Sequence, residues 1–368
     1  KNEAGEWVTS GSLNWDQLPA RIDAAIEERL SHLPQAFLDV LKTASIAGER
    51  FTAEVVAKVQ GIDEAHLLKL LQEELDQNYR LVRADSSRHV GEKRISRFRF
   101  RHILFQRYLY SRLDVVQRAA LHEGVGEALE ERYAAILEEV SVPLAIHFEL
   151  AGLTHKAIHY FDLAGKRANR FSSYEDAITH FRKALSLLTR QPETEDRDKQ
   201  ELDLLLRLSA PLMLARGYAS DDVGINNDRM AVLIKRIPVE VEMFPIFHAI
   251  SSYYHMRGHY NKGLDILRQG ELIARRSEDE LLIRTVDWGL GFTYLWLGKL
   301  EEALSHLNKM VNFYDPDVHG EFRQSYGTDA GVASRLWSSW ALWLLGYPEQ
   351  ALHRGQQAVE LSNILEDP

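Results

Sequence analysis

The sequence predicts a mainly α protein, in which a winged helix-turn-helix domain with a β-hairpin precedes an α-solenoid of helical hairpins. Three observations carry this. Nearly every segment from Leu18 onward places apolar residues at helical spacing, in runs of about a dozen residues separated by short breaks. The exception lies between Tyr79 and Arg101, where two strand-like runs flank a polar stretch. Further along, one pattern of small and large apolar residues recurs several times.

Residues 1–17 read as a polar tail and residues 18–101 as the winged-helix domain. Phe37, Leu38, Leu41 and Ser45 mark a first short helix, stopped near Gly48; Val55, Val56 and Val59 mark a second, ended at Gly61. Asp63 suits the N-cap of a third, with Leu67, Leu68, Leu71 and Leu75 on one face. Tyr79 to Ala84 and Ile95 to Arg101 then read as two strands around a polar loop, Asp85 to Arg94. Residues 102–140 form a helical connector and 141–368 the solenoid, with the end of the chain reading as a truncated array.

The repeat is carried by residue steps of 3, 4, 5, 4 and 3: Ala145, Phe148, Gly152, Ala157, Phe161, Ala164. The same steps occur from Ser251 to Gly270, from Gly291 to Met310 and from Ser339 to Ala358, with a degenerate copy from Ala210 to Arg229. Each describes a helical hairpin. A small residue admits the second helix, a larger one fills the seam, and a glycine makes the turn. Gly217, Gly258, Gly298 and Gly346 lie 41, 40 and 48 residues apart. This spacing resembles that of tetratricopeptide repeats, somewhat longer than their usual length of about 34. Residues 156–170 serve two hairpins at once, 191–200 form an acidic solvated break, and Tyr326 to Gly331 has the turn chemistry of an exposed loop.

Composition narrows the function. The 368 residues are 45% hydrophobic and 27% charged, as in soluble globular chains. There is no cysteine, which excludes thiolate metal sites and cysteine nucleophiles and fits a reducing cytosol. No apolar run is long enough for a membrane span, and the first residues lack the apolar core of a signal peptide, so a cytoplasmic location is expected. A net charge of −10 argues against a dedicated nucleic-acid binder. No phosphate-binding G-x-x-x-x-G-K-[ST] loop and no nucleophile-base motif occurs, so the segment reads as non-enzymatic and without a cofactor of its own. His155 and His159, with His147 nearby, have a spacing that can serve a metal, but no acidic ligand joins them and a solvated face is preferred, so no metal is expected.

Residues 98–106, from Phe98-Arg-Phe-Arg-His102 through Gln106, resemble the stretch that ends the winged-helix domain of STAND-class signalling ATPases. Ala145-Ile-His-Phe-Glu-Leu-Ala-Gly152 and Trp337-Ser-Ser-Trp-Ala-Leu-Trp-Leu-Leu-Gly-Tyr-Pro-Glu-Gln-Ala351 resemble the helical sensors of their bacterial cyclase and transcription-regulator members. The resemblance implies a regulatory and sensor segment. Its repeats bind a signal, and its winged helix relays that signal to an ATPase module and output domains outside this chain. ADP or ATP would belong to that module, and His102 would contact the nucleotide phosphate; the alternative is a histidine that satisfies backbone at the strand-to-helix junction. A DNA-binding transcription regulator and a protein-interaction scaffold are the competing readings.

Two surfaces stand out. Arg88 to Arg118 carries a local charge of +7, and on a strand Arg97, Arg99 and Arg101 share one face while Phe98 and Phe100 share the other. Because the third helix bears Glu64, Glu73, Glu74 and Asp76, this patch, with Arg107, is expected to meet another domain of the same protein rather than DNA; a solvated basic face is the alternative. In the repeats, His255, Met256, Trp288, Phe292, Trp296, Trp340 and Trp343 fall on the concave side of the first helices, as a recognition surface for a peptide, small molecule or protein. The preferred alternative is that these rings bury one another in the core.

Overall fold

The structure, a computed structural model, describes residues 20–91, 93–237, 244–319 and 329–365, so the tail assigned to residues 1–17 lies outside it. The chain divides into two compact units, Lys1–Tyr160 and Phe161–Pro368. It is mainly helical, with one small three-stranded sheet. No described helix is long and apolar enough to cross a membrane.

In the first unit, α1 (Ala20–Ser31) and α2 (Gln35–Ala47) lead into β1 (Arg50–Thr52), α3 (Ala53–Gln60) and α4 (Glu64–Lys69). The last of these widens into a π-helical stretch, Leu70–Asn78. Then come β2 (Val82–Val90), β3 (Lys93–Phe100), α5 (Ile103–Ser111), α6 (Val115–Arg132) and α7 (Ser141–Leu150). The expected boundaries hold where chemistry sets them. Asp63 accepts the His66 amide proton at 3.0 Å, capping α4, and Gly61 closes α3 at φ 64°. Leu67, Leu71 and Leu75 are buried against Leu41, Val56, Phe98 and Phe100.

The hairpin departs from its expected form. Asp85–Arg94 is not a polar loop: β2 continues through Ser86–Val90 and pairs with β3 up to Val90↔Lys93. The sheet order is β1-β3-β2, so β2 is an edge strand, and seven of its nine residues are exposed. With both faces wet, it shows none of the apolar alternation by which strands are read. The third strand, β1, pairs Phe51 with Phe98 and is only three residues long.

One buried ionic knot ties these elements together. Both carboxylate oxygens of Glu54, on α3, accept the Ser96 amide proton of β3 at 3.0 and 2.9 Å, and Arg132 of α6 lies 3.8 Å from the same group. A buried carboxylate is tolerated when hydrogen-bonded and paired in this way.

The second unit is a run of antiparallel helical hairpins. After α8 (Thr154–Arg170) and α9 (Tyr174–Leu188), it contains α10 (Glu195–Arg216) with α11 (Asp221–Leu233), α12 (Pro245–Met256) with α13 (Tyr260–Ser277), and α14 (Glu280–Trp296) with α15 (Leu300–Phe313). The helices Ala330–Leu344 and Pro348–Ile364 form the last hairpin. The turn glycines Gly258 and Gly298 both have φ 73°, a conformation in which a side chain is strained. The residue after each donates back to the large seam residue: His259 N–H to the Tyr254 carbonyl at 2.7 Å, and Lys299 N–H to that of Tyr294 at 2.9 Å. The repeat pattern is thus a hydrogen-bonding unit as well as a packing one. The small residue of the repeat is equally constrained, since a Cβ on Gly291 would lie 2.6 Å from Leu307 Cγ.

Two expectations in this unit are corrected. Residues 191–200 are not a wholly solvated break, because α10 starts at Glu195 and buries Arg197 and Asp198. These belong to a charge network in which Arg197 and Arg229 reach Glu201 at 2.9 and 2.7 Å. The degenerate repeat is degenerate for this reason: its seam is polar, with Asn226 donating to the Leu205 carbonyl at 3.1 Å. Of the expected loop Tyr326–Gly331, residues 326–328 lie outside the described residues, while Asp329 is buried and caps the next helix. Tyr314 donates its hydroxyl proton to Asp329, and Gly331 packs on the same ring.

Candidate recognition site

On β3, Arg97 and Arg99 alternate with the buried Phe98 and Phe100, and Arg101 follows directly after the strand. The basic face is partly neutralised. Arg99 pairs with Asp85 at 3.7 Å, Arg50 reaches the same carboxylate at 4.0 Å, and Arg101 pairs with Asp76 while donating to the Val82 carbonyl at 3.1 Å. On the acidic helix, Glu64 is held by Arg132 at 2.9 Å. Arg107 is exposed on α5.

His102 caps α5, its Nδ1 accepting the Leu104 amide proton at 3.2 Å. A neutral imidazole with Nδ1 as acceptor carries its proton on Nε2, so the outward edge of this exposed ring is a donor. It lines a cleft of about 500 Å³ with Arg29, Arg80 and Arg101.

Of the three histidines weighed as ligands, His155 and His159 are exposed, whereas His147 is buried and hydrogen-bonded Nδ1 to Nδ1 with His122 at 2.8 Å. The three do not converge. No cluster of three or more metal-ligating side chains occurs among the described residues.

The aromatic residues of the second unit do come together. His248 stacks on Trp288 at 4.6 Å between centroids, Trp288 on Trp337 at 5.9 Å, and Phe292 lies 4.4 Å from Trp337. Trp296 continues the series, 6.1 Å from Phe292 and 6.4 Å from Trp340. Trp296, Trp340 and Trp343 are 48%, 45% and 66% exposed, Met256 is exposed and Phe292 is half-buried.

Trp288 and His255, at 1% and 6%, are not open groove residues and are corrected to buried ones. Trp288 is sandwiched between His248 and Trp337, a ring on the next first helix. His255 fills the space above Gly263, where a Cβ would lie 2.5 Å from Nε2, and that nitrogen is 2.9 Å from Thr293 Oγ1. Burial depresses both imidazoles, His248 to about 4 and His255 to about 3, so both are neutral. His248 and Trp337 were missed from sequence. The aromatic character of Trp337 was visible, but only packing turns it toward Trp288.

Trp340 and Trp343 line a different, open recess of about 740 Å³ on the last hairpin, with Leu336, Leu352 and Val359. The sequence pattern put all seven residues on one surface. In the structure His255 and Trp288 are buried, Phe292 is half-buried beside them, Met256 and Trp296 are exposed, and Trp340 and Trp343 line this terminal face.

No protein-family model matches the chain. It is 24% identical over 336 residues to an uncharacterised protein of Rhizobium meliloti, a match covering 88% of this chain and 31% of that protein. The chain therefore spans about a third of the length of that curated relative. Three solved structures are similar over part or most of the chain at low identity. BtubC of P. vanneervenii has TM-score 0.47 and 10% identity, with 64% of this chain and 90% of that one covered. Aspartyl phosphate phosphatase F of Bacillus subtilis has TM-score 0.39 and 10% identity, with 98% and 97% covered. A STAND protein of Pyrococcus horikoshii with a tetratricopeptide repeat sensor has TM-score 0.35 and 11% identity, with 95% and 66% covered. The repeat architecture itself rests on the hairpin geometry described above.

Proposed function

We propose that this chain is the regulatory and sensor segment of a larger signalling ATPase. Its helical hairpins bind a signal, and its first unit acts as a winged helix that relays the bound state to a nucleotide-binding module. The observation that supports this is the element order α2-β1-α3-α4-β2-β3 with sheet order β1-β3-β2, which we read as a winged helix, in the same chain as a helical-hairpin array. The donor edge of His102 among Arg29, Arg80 and Arg101 supports a phosphate-facing role for this cleft. The ion pairs of Arg99 and Arg101 with Asp85 and Asp76 favour a protein neighbour over duplex DNA. In this reading the segment itself hydrolyses nothing, holds no metal, and works in the cytoplasm. ADP or ATP is held by the neighbouring module. The test is ADP retention by the full-length protein. His102→Ala should release ADP several-fold faster than wild type, with unchanged folding by circular dichroism. Equal release from both, or submicromolar sequence-selective DNA binding by the segment, overturns the proposal.

A further inference from the structure

We infer that the second unit holds a preformed site for a small, uncharged ring compound, between α12, α14 and the helix Ala330–Leu344. This rests on the reading of the hairpins as a recognition element and names what they recognise.

The site is a cavity of about 200 Å³. Trp288, Phe292 and Trp337 supply its apolar wall, and His248, Ser252 and His255 its polar side; Tyr218 and Met256, both exposed, stand at the rim. The cavity persists for a physical reason. Ser251, Ser252 and Gly289 are too small to fill the space between the facing helices. The large rings cannot swing in, because Trp288 is clamped on both faces by His248 and Trp337, with interplanar angles of 13° and 7°. A packed interior of this kind leaves few voids unless something holds them open.

Three features define the ligand. The first is size. An apolar cavity of about 150 Å³ takes benzene, so this one admits a single or fused ring on the order of ten non-hydrogen atoms. The second is charge. None of the described residues lining it is Asp, Glu, Lys or Arg, and both imidazoles are held neutral by burial, so an ionised ligand would be desolvated without a counter-charge. The Trp288 faces are already occupied by rings, which removes the open aromatic box that a cation needs.

The third is hydrogen bonding. Thr293 Oγ1 donates to the Gly289 carbonyl at 2.8 Å, so at 2.9 Å from His255 Nε2 it accepts, and His255 carries its proton on Nε2. Ser252 Oγ lies 3.2 Å from His248 Nε2 and Ser251 Oγ donates to the His248 carbonyl at 3.0 Å. Each serine hydroxyl has acceptor capacity beyond these contacts, which suits a ligand bearing a hydroxyl or amide donor.

The probe is 2-naphthol, a neutral fused ring with one hydroxyl, against 2-naphthoate, the same ring with a charge. Titration of the 368-residue chain, followed by ¹⁵N–¹H resonances of the tryptophan indoles, should show saturable 2-naphthol binding in the range of roughly 10⁻⁵–10⁻³ M, as ligands of this size allow. The resonances of Trp288 and Trp337 should move while that of Trp343 does not. 2-Naphthoate should bind at least tenfold more weakly. Ser252→Leu fills the cavity and should weaken 2-naphthol at least tenfold with an unchanged melting midpoint, whereas Trp343→Ala should leave affinity unaltered.

No saturable binding, equal binding of the two probes, or binding lost in Trp343→Ala overturns the inference. If the probe fails while His102→Ala still speeds ADP release in the full-length protein, only the ligand class falls. If both fail, the sensor reading falls with it.

Discussion

Acidification from pH 7 to pH 5 is expected to destabilise the first unit chiefly through one buried pair, His122 on α6 and His147 on α7. Their Nδ1 atoms are 2.8 Å apart, and Tyr110 reaches His122 Nε2 at 3.2 Å. Desolvation, with Arg118 adding repulsion, lowers His122 to about 4. Desolvation, with His122 second, lowers His147 to about 3. Because both folded values lie below the unfolded value near 6.5, the unfolded chain takes up protons first as pH falls. The associated stability is complete above about pH 6.5 and is lost on descending toward the folded values. At pH 5 each neutral imidazole forgoes about 2 kcal/mol of protonation free energy, so the pair accounts for a loss of about 4 kcal/mol relative to neutral pH. A double variant, His122→Leu with His147→Leu, removes both titrating rings without leaving one buried imidazole unpaired. Urea denaturation at pH 7, 6 and 5, followed by far-ultraviolet circular dichroism, should show wild-type stability falling more steeply than that of the double variant by about this amount. His248 and His255 contribute equally to both proteins and cancel. Parallel declines over this interval would refute the placement of two neutral histidines in the interior.

Removing the Glu54 carboxylate as Glu54→Ala should cost about 3–5 kcal/mol, since it leaves the Ser96 amide and Arg132 without their buried acceptor; the midpoint of urea unfolding measures it. Gly298→Ala should cost about 1–2 kcal/mol through its φ of 73° alone, because nothing lies within 4 Å of the added Cβ, and calorimetry should show this without a change in helix content. Trp288→Ala should cost about 3–5 kcal/mol, whereas Trp343→Ala, on an exposed face, should stay within about 1 kcal/mol; equal costs would contradict the division of the aromatic residues between core and surface.

The repeat was legible because it is a local property. Small, large, glycine and small residues within twenty positions specify one hairpin, and the backbone bonds at Gly258 and Gly298 involve residues at most five apart. The caps at Asp63 and Gly61 were legible for the same reason. The edge strand β2 was not, since its register is imposed by β3 and its residues face water on both sides. At the candidate site, the pattern identified which rings share a helix face. It could not separate the clamped Trp288 from the exposed Trp343, because that difference depends on a partner ring 49 residues away, Trp337, in one case and none described in the other.

Sequence alone determined the helical hairpins, their period, the three short helices at the start of the first unit, and the alternation of arginine and phenylalanine on β3; the short strand β1 and the reach of β2 it did not. Each feature it did determine follows from side-chain spacing and turn chemistry within one or two elements. Tertiary structure decided the buried charges at Glu54, Arg197 and Glu201, the neutral histidine pair, and the cavity beside Trp288. Whether a charge is buried with a partner, or a space is left unfilled, depends on groups brought together from helices far apart in the chain, and residue spacing along one helix carries no record of them.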